Sequence, residues 1–440
     1  MISTTRRRSL TELPSRFGRL FRVAIAVALL LGLAFALYAA SGWSAPVSLS
    51  TPIPPTYYVT SPVAAINSSG AQAAAWVNEN NYLLLQVAAQ DAGGSWSAAQ
   101  TLTPANGYNA ADPSVAVSPA GNAVAIWDLW QTNSSQGLVV QASARQAHGS
   151  WGAVKPLTSP ANSSSLPKVG MDGSGNAVAI WLQTTSSSSA IETANLPASG
   201  SWTTPVALST PGATATNPTL AVNALGDAIA GWQSTSGQIL VAERKSGVWS
   251  APISIAPASF RQGSPHVALN DQGDAGVAWT GRGTALVATR AAGGAWSAPL
   301  TISKQGEGAS ARIALDNFGN AVMIFALVQY SGSGYNYPVQ AVARPAGGSW
   351  GTPKTISGAN DYASSPNVVA TPAGTFVAAW VDDNTRTVRA AIRPIGQGAF
   401  GAPAVLSSGS DAFLAAAAGN TAATWIGPGP AVQVSDASTP

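Results

Sequence analysis

The chain contains no cysteine, only two histidines and three methionines, and just 9% of its 440 residues are charged. Without thiols there are neither disulfides nor thiolate metal sites. His148 and His266 fall in different repeats, so a histidine metal cluster is not supplied either, and no cofactor is expected. A glycine loop able to cradle phosphate and a nucleophile-elbow motif are both missing.

Long apolar runs are confined to the N-terminus. Arg6, Arg7, Arg8, Arg16, Arg19 and Arg22 precede an uncharged apolar run at 23–40, followed by Ser41-Gly42. A basic end, a greasy stretch and small residues at the exit form the order of an export signal. At 18 residues the run also approaches the length of a bilayer span, so a retained N-terminal anchor fits equally. The expected division is therefore 1–41 as export signal or membrane anchor, 42–436 as one repeat domain, and 437–440 as a tail. Everything after the anchor is expected outside the cytoplasm: secreted, periplasmic or held at the envelope. Six of the 21 basic residues and one of the 18 acidic ones lie in that leader, so the remainder carries −2 although the whole chain carries +3. The basic balance is thus no sign of nucleic-acid binding, and contact with a membrane is expected only through the N-terminal segment.

What is abundant is periodic. A glycine is followed six residues later by a large aromatic at Gly70/Trp76, Gly121/Trp127, Gly175/Trp181, Gly226/Trp232, Gly273/Trp279, Gly319/Phe325, Gly374/Trp380 and Gly419/Trp425. A second aromatic series interleaves: Trp43, Trp96, Trp151, Trp202, Trp249, Trp296, Trp350 and Phe400. Of the 15 tryptophans only Trp130 belongs to neither series. The spacing of 45 to 55 residues is that of a propeller blade. Each repeat opens with a short β-branched run such as Thr219-Leu-Ala-Val, then, in every copy but the last, where Ala416 stands, a small polar residue three positions before the glycine. That pair predicts a tight turn, the side chain bonding back to the turn and glycine taking positive φ. A second strand, apolar on both faces, ends at the aromatic, and a third and fourth follow. The chain opens with a lone fourth strand around Trp43-Ser-Ala-Pro-Val-Ser-Leu and ends with three strands lacking a fourth. An all-β, eight-bladed β-propeller with four-stranded blades is expected, its ring closed by the N-terminal strand pairing with the C-terminal ones. Both aromatic series then read as inter-blade core.

The topology sorts the connections onto two faces. Turns between strands one and two, and three and four, are short and uniform. Connections between strands two and three and between blades vary from 280–283 to 326–337, which marks the face where function is usually placed. Apart from Tyr38, every tyrosine falls on that variable face, as does Trp130. Aromatic rings flanked by amides and carboxylates stack on sugar C–H faces while the polar groups take hydroxyls. Tyr108, Asp128, Trp130, Tyr330, Tyr335, Tyr337, Tyr362, Asp382 and Asp383 are accordingly the candidate ligand-binding residues. Lys168, His266 and Arg312 open innermost strands and are expected at the channel rim. Arg145, Arg244, Arg290, Arg344 and Arg393 end third strands and are expected to pair with carboxylates of neighbouring turns such as Asp172, Asp227, Asp274 and Asp316, an anion-binding ring being the alternative.

The repeat architecture resembles the bacterial repeat propellers, a group with WD-repeat-like, sialidase-like and fucose-lectin-like members. The Gly-Ser-Trp that precedes the fourth strand is similar to lectin-type blades. The sialidase Asp-box is missing, because tryptophan here follows glycine by six residues. Trp127-Asp128 occurs once and not at a blade end. A monomeric, non-enzymatic propeller recognising a glycan or a surface partner is the leading expectation. An exo-acting glycosidase or lyase using variable-face carboxylates, and an envelope scaffold, are the alternatives.

Overall fold

The computed structural model describes residues 43–50, 58–104, 106–210, 212, 214–257, 262–304, 306–330, 332, 334–417, 420–427 and 431–438. The expected export segment 1–41, Tyr57, Gly419 and the last two residues of the tail lie outside the described residues. Among those described there are strands and turns but no helix.

Within the compact unit Pro46–Pro440 the described strands form eight antiparallel blade sheets, each following the chain outward from an innermost strand, and one separate two-stranded hairpin. The chain is an eight-bladed β-propeller. The innermost strands of blades 1 to 8 are Val59–Ile66, Tyr108–Val117, Ser163–Met171, Ala215–Val222, His266–Leu269, Gly308–Leu315, Ala363–Ala370 and Ser410–Ala417. Blade 8 is composite, as the terminal fragments predict: Val47–Ser48 supplies its outer strand, with Val47 opposite Val434 and Ser48 opposite Gln433. Beyond the ladder, Leu49 N donates to Val432 O at 2.8 Å and Val432 N to Ser50 Oγ at 2.9 Å. Leu49 is buried with Val59, Trp76 and Val432, which ties blade 8 to blade 1. A chain begun at residue 51 is expected to lose about 4 kcal/mol, from one buried leucine and several backbone bonds. It would also expose the Ala431–Ser438 edge to a second copy. Thermal melting with size-exclusion chromatography checks this; an unchanged melting point and a single monomer peak would mean that the ring holds without the strand.

The turn chemistry takes the form read from the repeats. In blade 4, Asn223 Oδ1 accepts the backbone N–H groups of Leu225 at 3.1 Å and Asp227 at 3.0 Å, and Gly226 sits at φ 82°. A side chain there would meet both positive φ and the Asp172 carboxylate. The amide of the same asparagine donates to Asn270 O at 3.0 Å, and Asn270 in turn to Asp316 O at 2.7 Å. One polar residue thus closes its own turn and ties its blade to the next. Asp172 and Asp316 likewise bond inside their turns rather than forming ion pairs. Arg145 pairs at 2.9 Å with Asp91, a turn carboxylate of the preceding blade, whereas Arg290 reaches Glu243 on the preceding blade's third strand at 3.0 Å.

The aromatics are core. Trp76, Trp127, Trp181, Trp232, Trp279, Phe325, Trp380 and Trp425 are all at most 1% exposed. Members of the second series cap these layers: Trp202 packs on the cluster between blades 2 and 3, and Trp350 on that between blades 5 and 6.

One regularity concerns the channel. Ser61, Asp112, Leu166, Asn217, Ser310, Ser365 and Asp411 all take φ between 49° and 56°. Each sits in an innermost strand at a register shift, as between Ser165 and Lys168. These are β-bulges, which bend a strand and re-aim the side chain that follows. In blades 1 to 4 and 7 the residue after this position is proline: Pro62, Pro113, Pro167, Pro218 and Pro366. It has no N–H to leave unpaired where the ladder breaks.

Candidate functional site

Two constellations form on the variable face. The first lies between blades 6 and 7. The connection after Ala321–Leu327 builds its own small hairpin, Gln329–Tyr330 against Tyr335–Asn336. Tyr330 and Tyr335 are directly opposite, and their rings meet edge to face at 5.4 Å and 61°. The chain is then pinned to blade 7: Tyr337 N donates to Asp361 O at 2.8 Å, and Ala363 N donates to Tyr337 O at 3.2 Å. This places Tyr337 on Tyr362, with ring centroids 4.6 Å apart and planes at 74°. Burial, and then the neighbouring phenols of Tyr362 and Tyr335, push the Tyr337 hydroxyl above its usual range, so it remains a neutral donor. Tyr330, Tyr335 and Tyr362 are 66%, 57% and 43% exposed. Amides border them: Asn384 Nδ2 donates to Asn360 O at 3.1 Å, and Asn336 Nδ2 lies 3.5 Å from Asn360 Oδ1. Asp383 joins through its backbone, N to Tyr362 O at 2.9 Å, and leaves its side chain exposed.

Asp382 turns the other way. It is 2% exposed, accepts from Thr385 Oγ1 at 2.7 Å and pairs with Arg389 at 2.9 Å. Its carboxylate therefore holds the loop and is not offered to a ligand. Tyr108 and Trp130 stand on blade 2, across the ring from the four tyrosines. Tyr108, opposite Gln131, packs against the core between blades 1 and 2, and Trp130 is half-buried opposite Asn109. The nine candidates thus divide among the tyrosine cluster, blade 2 and the interior, and form no single site.

The second constellation is the channel mouth. Side chains near the start of the innermost strands of blades 2 to 7, namely Ser114, Lys168, Thr219, His266, Arg312 and Asn367, line one cavity of about 540 Å³. Lys168, His266 and Arg312 are at the rim, where strand order places them. Ser114 Oγ accepts Val169 N at 3.1 Å, and His266 Nδ1 accepts Ile313 N at 3.3 Å. In both pairs a rim side chain anchors the strand of the next blade.

Asp128 supports this mouth from within. It is 1% exposed on the second strand of blade 2, opposite Ala111. Its carboxyl lies beside the Asp112 carboxylate and the backbone N–H groups of Ala111 and Leu166, at the bulges of blades 2 and 3. Oδ1 is buried with no hydrogen-bond partner. Burial, and then the Asp112 charge, raise its pKa from 3.8 to about 7. The sequence pointed to Asp128 as an aromatic-flanking carboxylate on the variable face; its inward position follows from where the neighbouring blade's bulge falls. Of the carboxylates on which variable-face hydrolysis would draw, Asp128 and Asp382 are enclosed by protein, Asp112 and Asp361 are half-buried and Asp383 is exposed. The bulges could have been read from the recurrent X-Pro dipeptide at the start of the innermost strands.

No family model matches the chain, and no curated protein matches it. Solved structures do. The Penicillium chrysogenum α-L-arabinanase complexed with arabinobiose is 12% identical over 90% of this chain and 98% of its own, with a TM-score of 0.41. The intramolecular trans-sialidase of Ruminococcus gnavus is 9% identical over 74% and 90%, with a TM-score of 0.41. The Aleuria aurantia lectin, complexed with a fucosyl-GlcNAc, is 16% identical over 71% and 98%, with a TM-score of 0.37. These are likenesses of overall fold.

Proposed function

We propose that this protein is an exported, non-enzymatic propeller that binds a glycan through the loops of its variable face. The tyrosine cluster between blades 6 and 7 carries the reading. Two edge-to-face pairs hold four phenol rings, three of them substantially exposed, in a setting of Asn336, Asn360 and Asn384. Exposed rings contribute little to folding, yet they are held in register by three backbone and ring contacts across two blades. A rigid ring costs little conformational entropy on binding, its face suits sugar C–H groups, and the amides both donate and accept. The Arg-rich leader with its apolar run supports export.

Glycan-array binding by the full chain tests this, with Tyr330→Ala/Tyr335→Ala and Trp130→Ala as variants. The double variant is expected to lose about tenfold or more in affinity, since aromatic contacts are worth roughly 1–3 kcal/mol. Its melting temperature should stay within about 2 °C, because the rings are exposed. Trp130→Ala, across the ring, should retain binding. Parallel loss of binding and stability, or capture of a protein in place of any glycan, would count against the reading.

A further inference from the structure

We infer that the mouth of the central channel is an oxyanion site in which Arg312 holds the carboxylate or sulfate group of a sugar-sized ligand. The inference goes beyond the tyrosine cluster and stands independently of it.

The geometry comes from the repeat. Six consecutive blades each deliver a side chain from the start of the innermost strand to one cavity of about 540 Å³, a volume suited to a small ligand. Phe413 of blade 8 closes the other side, so the cavity has a polar wall and an apolar one. The charges on that polar wall do not cancel. Lys168 has the Asp112 and Asp128 carboxyls beside it, and its Nζ donates to Pro167 O at 3.2 Å. Arg312 has no ion pair among the described residues, and its single hydrogen bond runs from Nη1 to Ala311 O at 3.0 Å. A guanidinium carries five N–H donors in a planar fork, so most of this fork remains for the lumen. An enclosed cation without a counter-ion is costly, and a bound oxyanion matches both the charge and the fork.

His266, on the neighbouring blade, fits the same purpose. Its Nδ1 is occupied by the Ile313 N–H, so the hydrogen of the neutral ring sits on Nε2. Burial, and then the Arg312 charge, push its pKa down to about 3. The imidazole is therefore a neutral N–H donor next to Arg312 and adds no second charge. Asn367 and Thr219 flank the pair and can take the hydroxyls of a sugar acid.

Isothermal titration and thermal melting of the full chain test the site. The probes are sodium glucuronate, sodium sulfate, uncharged glucuronamide, and sodium chloride at matched ionic strength. Saturable binding of glucuronate or sulfate is expected, with glucuronamide at least about tenfold weaker, since bonds to charged groups are the strong ones. Which anion binds tighter identifies the source of the charge. Arg312→Gln should lose the binding by a similar factor yet melt no lower than wild type, because it removes an unpaired enclosed charge. Sulfate stabilises proteins generally, so only the part of its effect absent from Arg312→Gln supports the site. Tyr335→Ala/Tyr337→Ala should keep anion binding. Failure of both anions to bind saturably, undiminished binding in Arg312→Gln, or loss in the tyrosine variant would each overturn the assignment.

Discussion

Asp128→Asn is expected to stabilise the protein by several kcal/mol at pH 8 and to change it little at pH 4. The folded carboxyl titrates at about 7 against 3.8 for an ordinary aspartate, because it is enclosed and lies beside Asp112. Below about pH 4 the group is protonated in both the folded and unfolded states, and no penalty arises. As pH rises through the window from about 4 to about 7, the unfolded chain releases the proton freely while the folded one retains it. Stability is then lost at ~1.4 kcal/mol per pH unit, to a ceiling of about 4 kcal/mol. Asparagine is neutral at every pH and can still accept from the Ala111 and Leu166 amides. Its stability profile should therefore be flat across the window in which wild type declines. Denaturant unfolding of both proteins at pH 4 and pH 8 measures this. An equal difference at the two pH values would mean that Asp128 does not titrate in the fold.

Trp181→Ala is expected to cost about 3–5 kcal/mol, whereas Trp181→Phe should cost under about 1.5 kcal/mol. The indole is fully buried between blades 2 and 3, against Val124, Ile126, Val140 and Ala179. Alanine leaves a cavity that rigid β-sheets on both sides cannot collapse. The phenylalanine expectation rests on a further detail: Trp181 Nε1 is buried with no hydrogen-bond partner, so phenyl removes an unsatisfied donor along with some volume. Phe325 already fills the equivalent place in blade 6. Trp76 makes the contrast, because its Nε1 donates to Gln86 Oε1 at 3.0 Å. Trp76→Phe should therefore be the costlier of the two phenylalanine variants, by about 1 kcal/mol. Equilibrium unfolding of the three variants checks the order; equal costs for phenylalanine at positions 76 and 181 would remove the role assigned to the indole hydrogen bond.

Part of the architecture was legible from residues alone. Glycine six positions before an aromatic specifies a turn and a buried strand, both of which are local. Repetition at blade spacing then leaves a ring as the way to bury every aromatic layer. The complementary fragments at the two ends implied closure, because an open ring would leave unpaired edges. The placement of Lys168, His266 and Arg312 at the rim followed from strand order in the same way. For the candidate site, residue type and loop assignment went as far as one face of the disc. They located Tyr330, Tyr335, Tyr337 and Tyr362 there but grouped with them Tyr108 and Trp130, which stand across the ring.

Local pattern determined this protein's strands, turns, blade count and core, since hydrogen bonding within a turn and alternation along a strand act over a few residues. Only the tertiary structure decided which polar groups meet. The partnership of Asp382 with Arg389, the enclosure of Asp128 between bulges of two blades, and the lack of an ion pair for Arg312 among the described residues depend on side-chain direction and on neighbours from other strands and blades. Electrostatics and burial are set by that three-dimensional company, and the order of residues along the chain does not carry it.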